Sequence, residues 1–190
     1  MSNKTFAILI LALLLGVGGF LGFSQSKKPK EAIIGVQHDN QGQEHIARGQ
    51  KHAAYNSDPA SSGPHYNDAA APVPWGAYTQ EISQEAYVHN EEHGGIVITY
   101  NPQLLAAADV AKLQKLFTSP YSDSTFTPSK TVVTPRTKDT HAIELAAWTY
   151  TLNMDSFNQA TLKKFYLQHV SQSPEAAAGP LNTPVIQQGN

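Results

Sequence analysis

The sequence predicts a small, single-domain α+β fold: a mostly antiparallel sheet, two main helices and a long, ordered His/Pro-rich loop region around one end. Three observations carry this expectation. Short β-branched runs, GIVITY (95–100) and KTVVTP (130–135), have the composition of strands. Two longer stretches, 102–119 and 157–170, place apolar residues at helical spacing. Residues 37–81 have few apolar runs and much Pro, Gly, Asn, Ser and His, yet include Tyr55, Tyr66, Trp75 and Tyr78. Those aromatics can bury area against a scaffold, which argues for an ordered loop. A loop of that length in a compact domain is usually functional or disordered.

Taken in order, residues 6–23 (FAILILALLLGVGGFLGF) are apolar without a charge, with Lys4 before and Lys27, Lys28 and Lys30 after. That is long for a signal-peptide core and just long enough to span a bilayer. Residues 1–24 therefore read as a membrane anchor or signal segment and 25–36 as a linker. Residues 37–175 read as a domain outside the cytoplasm, and 176–190, with two of the three prolines that follow Ser171, as an irregular tail. Cleavage near Gly22-Phe23-Ser24 would release the domain as a secreted protein. GIVITY ends at Asn101-Pro102, and the 102–119 helix follows, with Leu105, Val110, Leu113, Leu116 and Phe117 on its apolar side. After KTVVTP and a turn at 135–140, HAIELAAWTYTL (141–152) reads as one longer strand. Asp155 or Ser156 is placed to cap the last helix, whose apolar side carries Phe157, Leu162, Phe165, Tyr166 and Val170.

Composition narrows the function. With no cysteine, disulfides, thiolate metal sites, a Cys nucleophile and a blue-copper centre are excluded. The formal charge of −2 comes without a basic stripe, so nucleic acid is not an expected partner. Six of the eight histidines fall between His38 and His93, and that clustering is the strongest compositional signal.

Two blocks concentrate it. In YVHNEEHGG (87–95), His89 and His93 are four apart, so on a helix they share a face and could chelate one ion. Gly94 and Gly95 then end the helix, leaving one or two turns. The letters also fit H-x-x-E-H, the zinc-peptidase pattern. That reading needs a long helix and a further carboxylate on another helix, whereas here a strand follows at once. In YNSDPASSGPHY (55–66), Pro59, Gly63 and Pro64 stiffen the backbone before His65, which suits a preorganised ligand.

These blocks, with WGAY (75–78) between them, resemble an uncharacterised bacterial and archaeal family known as a domain of unknown function. Its members show P-P-T-S-G-P-H, G-x-Y and H-N-L-E-H-G blocks and are often secreted or anchored. The resemblance covers residues 45–101 well and implies site positions at His65, His89, Asn90, Glu92 and His93. Two departures stand out: Pro-Ala-Ser at 59–61 replaces Pro-Pro-Thr, and Glu91 replaces an apolar Leu.

The expected site is therefore a metal centre with His52, His65, His89 and His93 as ligands. Glu92 and Asn90 would stand behind them, holding imidazole N–H groups or the turn. His52 is preferred as the fourth ligand for its closeness to the first block, with His38 and His45 as accessory candidates. A thiolate-free imidazole cluster suits copper or zinc. Only Met1 and Met154 occur, so a Met-rich copper(I) site is absent. No catalytic residue is assigned and no protein partner is identified. The competing readings are an anchored interaction domain in which these blocks only organise the fold, and a metal-dependent hydrolase or oxidase.

Overall fold

A computed structural model of the chain describes residues 31–118 and 126–187. The apolar 6–23 segment lies outside them. Among the described residues no helix is long and apolar enough to cross a membrane.

The folded unit starts at Ile34. In chain order it contains β1 (Val36–Gln37), β2 (His45–Ile46), β3 (His65–Tyr66), β4 (Gly76–Tyr78) and α1 (Gln84–Glu92). These are followed by β5 (Ile96–Tyr100), α2 (Ala107–Leu116), β6 (Thr131–Pro135), β7 (Ile143–Ala147), β8 (Tyr150–Met154), α3 (Gln159–His169) and β9 (Val185–Gln187). Seven strands form one sheet in the order β1-β8-β7-β5-β6-β4-β9, and β2 pairs with β3 separately.

The α+β class is as expected, but the sheet is mixed. The β1-β8-β7-β5 half is antiparallel, whereas β5, β6, β4 and β9 run parallel to one another. The parallel half arises because α2 carries the chain back between β5 and β6, a crossover that a tight hairpin cannot provide.

Both faces of the central strands are covered, which explains their unbroken apolar runs. Ile96, Ile98 and Tyr100 of β5 enter one apolar cluster with Leu113, Leu116 and Phe117 from α2 and its end and Leu162, Phe165 and Tyr166 of α3. Val97, Val132 and Ala146 face the other way and pack with Trp75, Tyr87, Val88 and Trp148. That second layer is built from α1 and the long loop region, and it carries the site.

Several boundaries differ from expectation for local reasons. The 102–119 helix is shorter because Asn101 holds a turn: its Oδ1 accepts from Gln103 N at 2.9 Å, and its backbone carbonyl accepts from Leu105 N at 2.9 Å. The expected long strand at 141–152 is a hairpin in which Ala147 pairs with Tyr150 across a two-residue turn. Thr149 takes φ 63° there, held by hydrogen bonds to Ser61 O and from His38 N, both 2.8 Å. Neither turn residue is Gly or Asn, so the usual hairpin signal is missing. The α3 cap is Asn158, which accepts from Thr161 N at 3.1 Å, rather than Asp155 or Ser156. The segment expected as an irregular tail instead returns to the sheet and adds β9 beside β4.

His169 closes α3 from within the core. Its Nε2–H donates to Ile34 O at 2.8 Å, and its ring packs on Phe165 and Tyr150. Burial pushes its pKa below the ordinary 6.5. The unfolded chain takes up this proton near pH 6.5 while the folded chain resists it. The neutral ring's contribution is therefore present above that pH and is lost as pH falls toward the folded pKa. His169→Gln keeps a donor for Ile34 O and is expected to flatten part of the acid-side loss of stability. Urea unfolding at a series of pH values, compared with wild type, checks this.

Candidate metal centre

The sequence around α1 buries polar groups that rarely go inside. His89, Asn90, Glu91, Glu92 and His93 are all buried, Asn90 and Glu91 completely. Such a run is costly unless each group is engaged, so the use of each side chain becomes the central question.

The backbone is closed by the glycines. Gly94 takes φ +79°, its N–H donates to Glu91 O at 2.8 Å, and Gly95 N–H donates to Asn90 O at 2.8 Å. These two bonds form a Schellman cap, which satisfies the last carbonyls and turns the chain straight into β5. A Cβ on Gly95 would lie 2.6 Å from the Trp75 ring, so the helix end sits hard against the loop region. Asn90 adds a clamp: its Oδ1 accepts from Val73 N at 3.0 Å and its Nδ2 donates to Val73 O at 2.8 Å. Asn90 thus secures the loop before β4 and does not reach an imidazole.

His89 and Glu92 lie three apart and point from one face of α1. The β2–β3 ladder brings the other groups: His45 and His65 are register partners. Gly63, at φ +115°, and the Tyr55 hydroxyl bonded to Pro64 O at 2.5 Å shape the backbone just before His65. The stiffened loop inferred from the sequence is therefore present.

Three imidazoles converge on one atom. Nε2 of His65, His45 and His89 lies 3.1, 3.6 and 3.8 Å from Glu92 Oε2. Donor atoms of His45, His65, His89 and Glu92 all fall within 4.8 Å of one another, and these four could hold a metal ion. Ligands about 2.0–2.1 Å from a tetrahedral ion are about 3.4 Å apart, so only a small contraction is needed.

The far sides of the rings fix the tautomers. His65 Nδ1–H donates to Gly63 O at 2.8 Å, and His89 Nδ1–H donates to Tyr66 O at 2.6 Å. A neutral ring that donates from Nδ1 carries its lone pair on Nε2, here aimed at Glu92. The Nδ1 of His45 lies 3.1 Å from the Asn67 side-chain amide. Glu92 is oriented in turn by Gln43, whose Nε2 donates to Oε1 at 2.7 Å, leaving Oε2 for the imidazoles. Burial, with some opposition from the Tyr66 carbonyl, pulls the His89 pKa down to about 4. His65, His89 and Glu92 are buried, while the His45 side chain is 44% exposed and forms the open side.

The structure thus rearranges the expected set. His65 and His89 come together as expected. His52 lies apart: its Nδ1–H donates to Ala53 O at 2.7 Å, its Nε2 lies 3.5 Å from Glu85 Oε1, and its ring leans on Tyr55. The in-register β2–β3 pairing brings His45 beside His65 instead. Glu92, expected behind the ligands, faces inward among them. His93 stacks on His89 with centroids 4.8 Å apart, but its Nδ1 faces Glu175, and it groups with Glu92 and Glu175. His38 bonds to Thr151 Oγ1 and His141 to Asp155, both away from this cluster.

Residues 45–180 match the family described as Protein of unknown function (DUF3105). The chain belongs to this DUF3105 family. The match begins at His45 and includes every member of the cluster, so the clustered residues lie inside the DUF3105 domain rather than in an appended segment. No curated protein and no solved structure matches the chain.

Glu91, the departure noted in the sequence, points elsewhere. Neither carboxyl oxygen has a hydrogen-bond partner among the described residues, and burial pushes its pKa well above the ordinary value. Burial therefore favours its neutral form over the carboxylate. Replacing an unsatisfied buried polar group by an apolar one of similar shape recovers roughly 1–3 kcal/mol. Glu91→Leu is expected to raise stability by an amount of that order, read by urea unfolding, with metal affinity unchanged in a parallel titration.

Proposed function

We propose that this DUF3105 protein binds a divalent transition-metal ion, copper or zinc, through His45, His65, His89 and Glu92. It acts outside the cytoplasm, tethered through residues 6–23 or released if that segment is cleaved. The observation that carries the reading is the convergence of imidazole Nε2 atoms on Glu92 Oε2. The His65 and His89 lone pairs that face this oxygen repel it unless a positive charge lies between them. A proton between His65 Nε2 and Glu92 Oε2, 3.1 Å apart, would serve that one ring, but burial pulls the His89 pKa down to about 4, so the His89 ring resists protonation at neutral pH. A cation satisfies all four donors together.

Three nitrogens and one oxygen suit zinc(II) and copper(II), and the Irving–Williams order favours copper(II) at equal availability. The exposed edge at His45 gives an ion or an exchanging ligand a way in. The described cavities lie elsewhere, one beside Gly35 and Thr151 and one beside Arg48 and Ile82, and neither borders the cluster.

Protein purified without a His tag is expected to retain about one equivalent of metal, or to take it up with a rise in Tm. His65→Ala should weaken binding by more than the roughly 10–100-fold loss typical of changes behind a ligand. His52→Ala should leave binding near wild type. Elemental analysis and thermal melts with added copper or zinc check these outcomes. Protein with no bound metal and no shift in Tm would support a purely structural role for the histidines.

A further inference from the structure

We propose that the protein holds a second, weaker divalent cation on the far side of Glu92, between Glu92, His93 and Glu175. The inference rests on the first metal position, because the two would share the Glu92 carboxylate.

One donor atom from each of Glu92, His93 and Glu175 lies within 4.8 Å of the others. His93 sits one residue past Glu92, and its ring stacks on His89 at 4.8 Å and 30°, so the two positions are adjacent. Its side chain is only 9% exposed; Nδ1–H donates to Glu175 O over a long 3.4 Å and lies 3.8 Å from Glu175 Oε2, so the neutral ring carries its lone pair on Nε2. Its Nε2 has no hydrogen-bond partner among the described residues. That nitrogen is within reach of solvent and keeps its lone pair for an incoming ion.

Glu175 is brought there by the tail. Its N–H and the Ser173 hydroxyl both donate to Glu92 O, at 3.1 and 2.7 Å, so the tail is registered on the end of α1. The Glu175 side chain is 49% exposed, so solvent reaches it. One imidazole and two carboxylates make a harder donor set than the first position and suit zinc(II) or manganese(II). Two features make this position the weaker. The Lys130 ammonium, donating to His93 O and Ala176 O, adds positive charge on the same side. Gln43 already occupies Glu92 Oε1.

Calorimetric titration of the full chain with zinc(II) alone separates the possibilities. Wild type is expected to bind two equivalents, one tight and one weak. Glu175→Gln, a change at an exposed position that leaves the fold undisturbed, should abolish the weak equivalent and leave the tight one. His93→Gln should do the same, and His65→Ala should impair the tight one. A single tight equivalent in wild type, unchanged in Glu175→Gln, overturns the second position and leaves the first standing. A weak equivalent that survives both Glu175→Gln and His93→Gln also overturns it. Absence of any binding overturns both positions together.

Discussion

Glu92 Oε2 has three imidazole nitrogens within 3.8 Å, and much of the surrounding structure serves to keep them there. A buried carboxylate is expensive unless charge and hydrogen bonds are returned to it. Gln43 returns one hydrogen bond, and the His65 and His89 rings, whose Nδ1 protons are already given to carbonyls, return theirs only in company with a positive centre. This makes the cluster a demanding feature: without a positive centre, the His65 and His89 lone pairs face a carboxylate oxygen. The carbonyls of Gly63 and Tyr66 prevent the rings from escaping by exchanging tautomers, since each already takes the Nδ1 proton.

The fold meets that demand by holding both ends of α1. At its start, Gln84 Oε1 accepts from Ala60 N at 3.0 Å and from Arg136 Nη2 at 3.3 Å. Arg136 is itself buried and paired with Asp58 and Asp139. At its end, the glycine cap, the Trp75 ring and the tail hydrogen bonds to Glu92 O fix where the helix stops. The Trp75 indole donates to Pro180 O at 2.7 Å, which ties the tail to the same layer. His89 and Glu92 are thus carried by a short helix held at both ends, as a preorganised site requires.

How much of this was legible in the sequence follows from the range of each interaction. β5, β6, α2 and α3 carry local periodicity, and their cores read directly from Ile96, Val133, Leu113 and Phe165. His65 and His89 were found because backbone-shaping residues or helical spacing mark them. The pairing of His45 with His65 was not legible: two-residue strands twenty residues apart leave no period, so nearness in sequence pointed to His52 instead. Helix α1 was underestimated because burial on nearly every side erased the apolar stripe that normally betrays a helix. The inward turn of Glu92 depends on Gln43, 49 residues away. The return of the tail as β9 depends on long-range contacts with Trp75 that Pro174, Pro180 and Pro184 conceal.

The central claim concerns which atoms hold one ion, and anomalous diffraction at the metal edge from metal-loaded crystals tests it most directly. The account predicts one strong peak about 2.0–2.2 Å from Nε2 of His45, His65 and His89 and from a Glu92 carboxylate oxygen. A principal peak at His52 or His141, or no peak within the reach of the three clustered imidazoles, would contradict it.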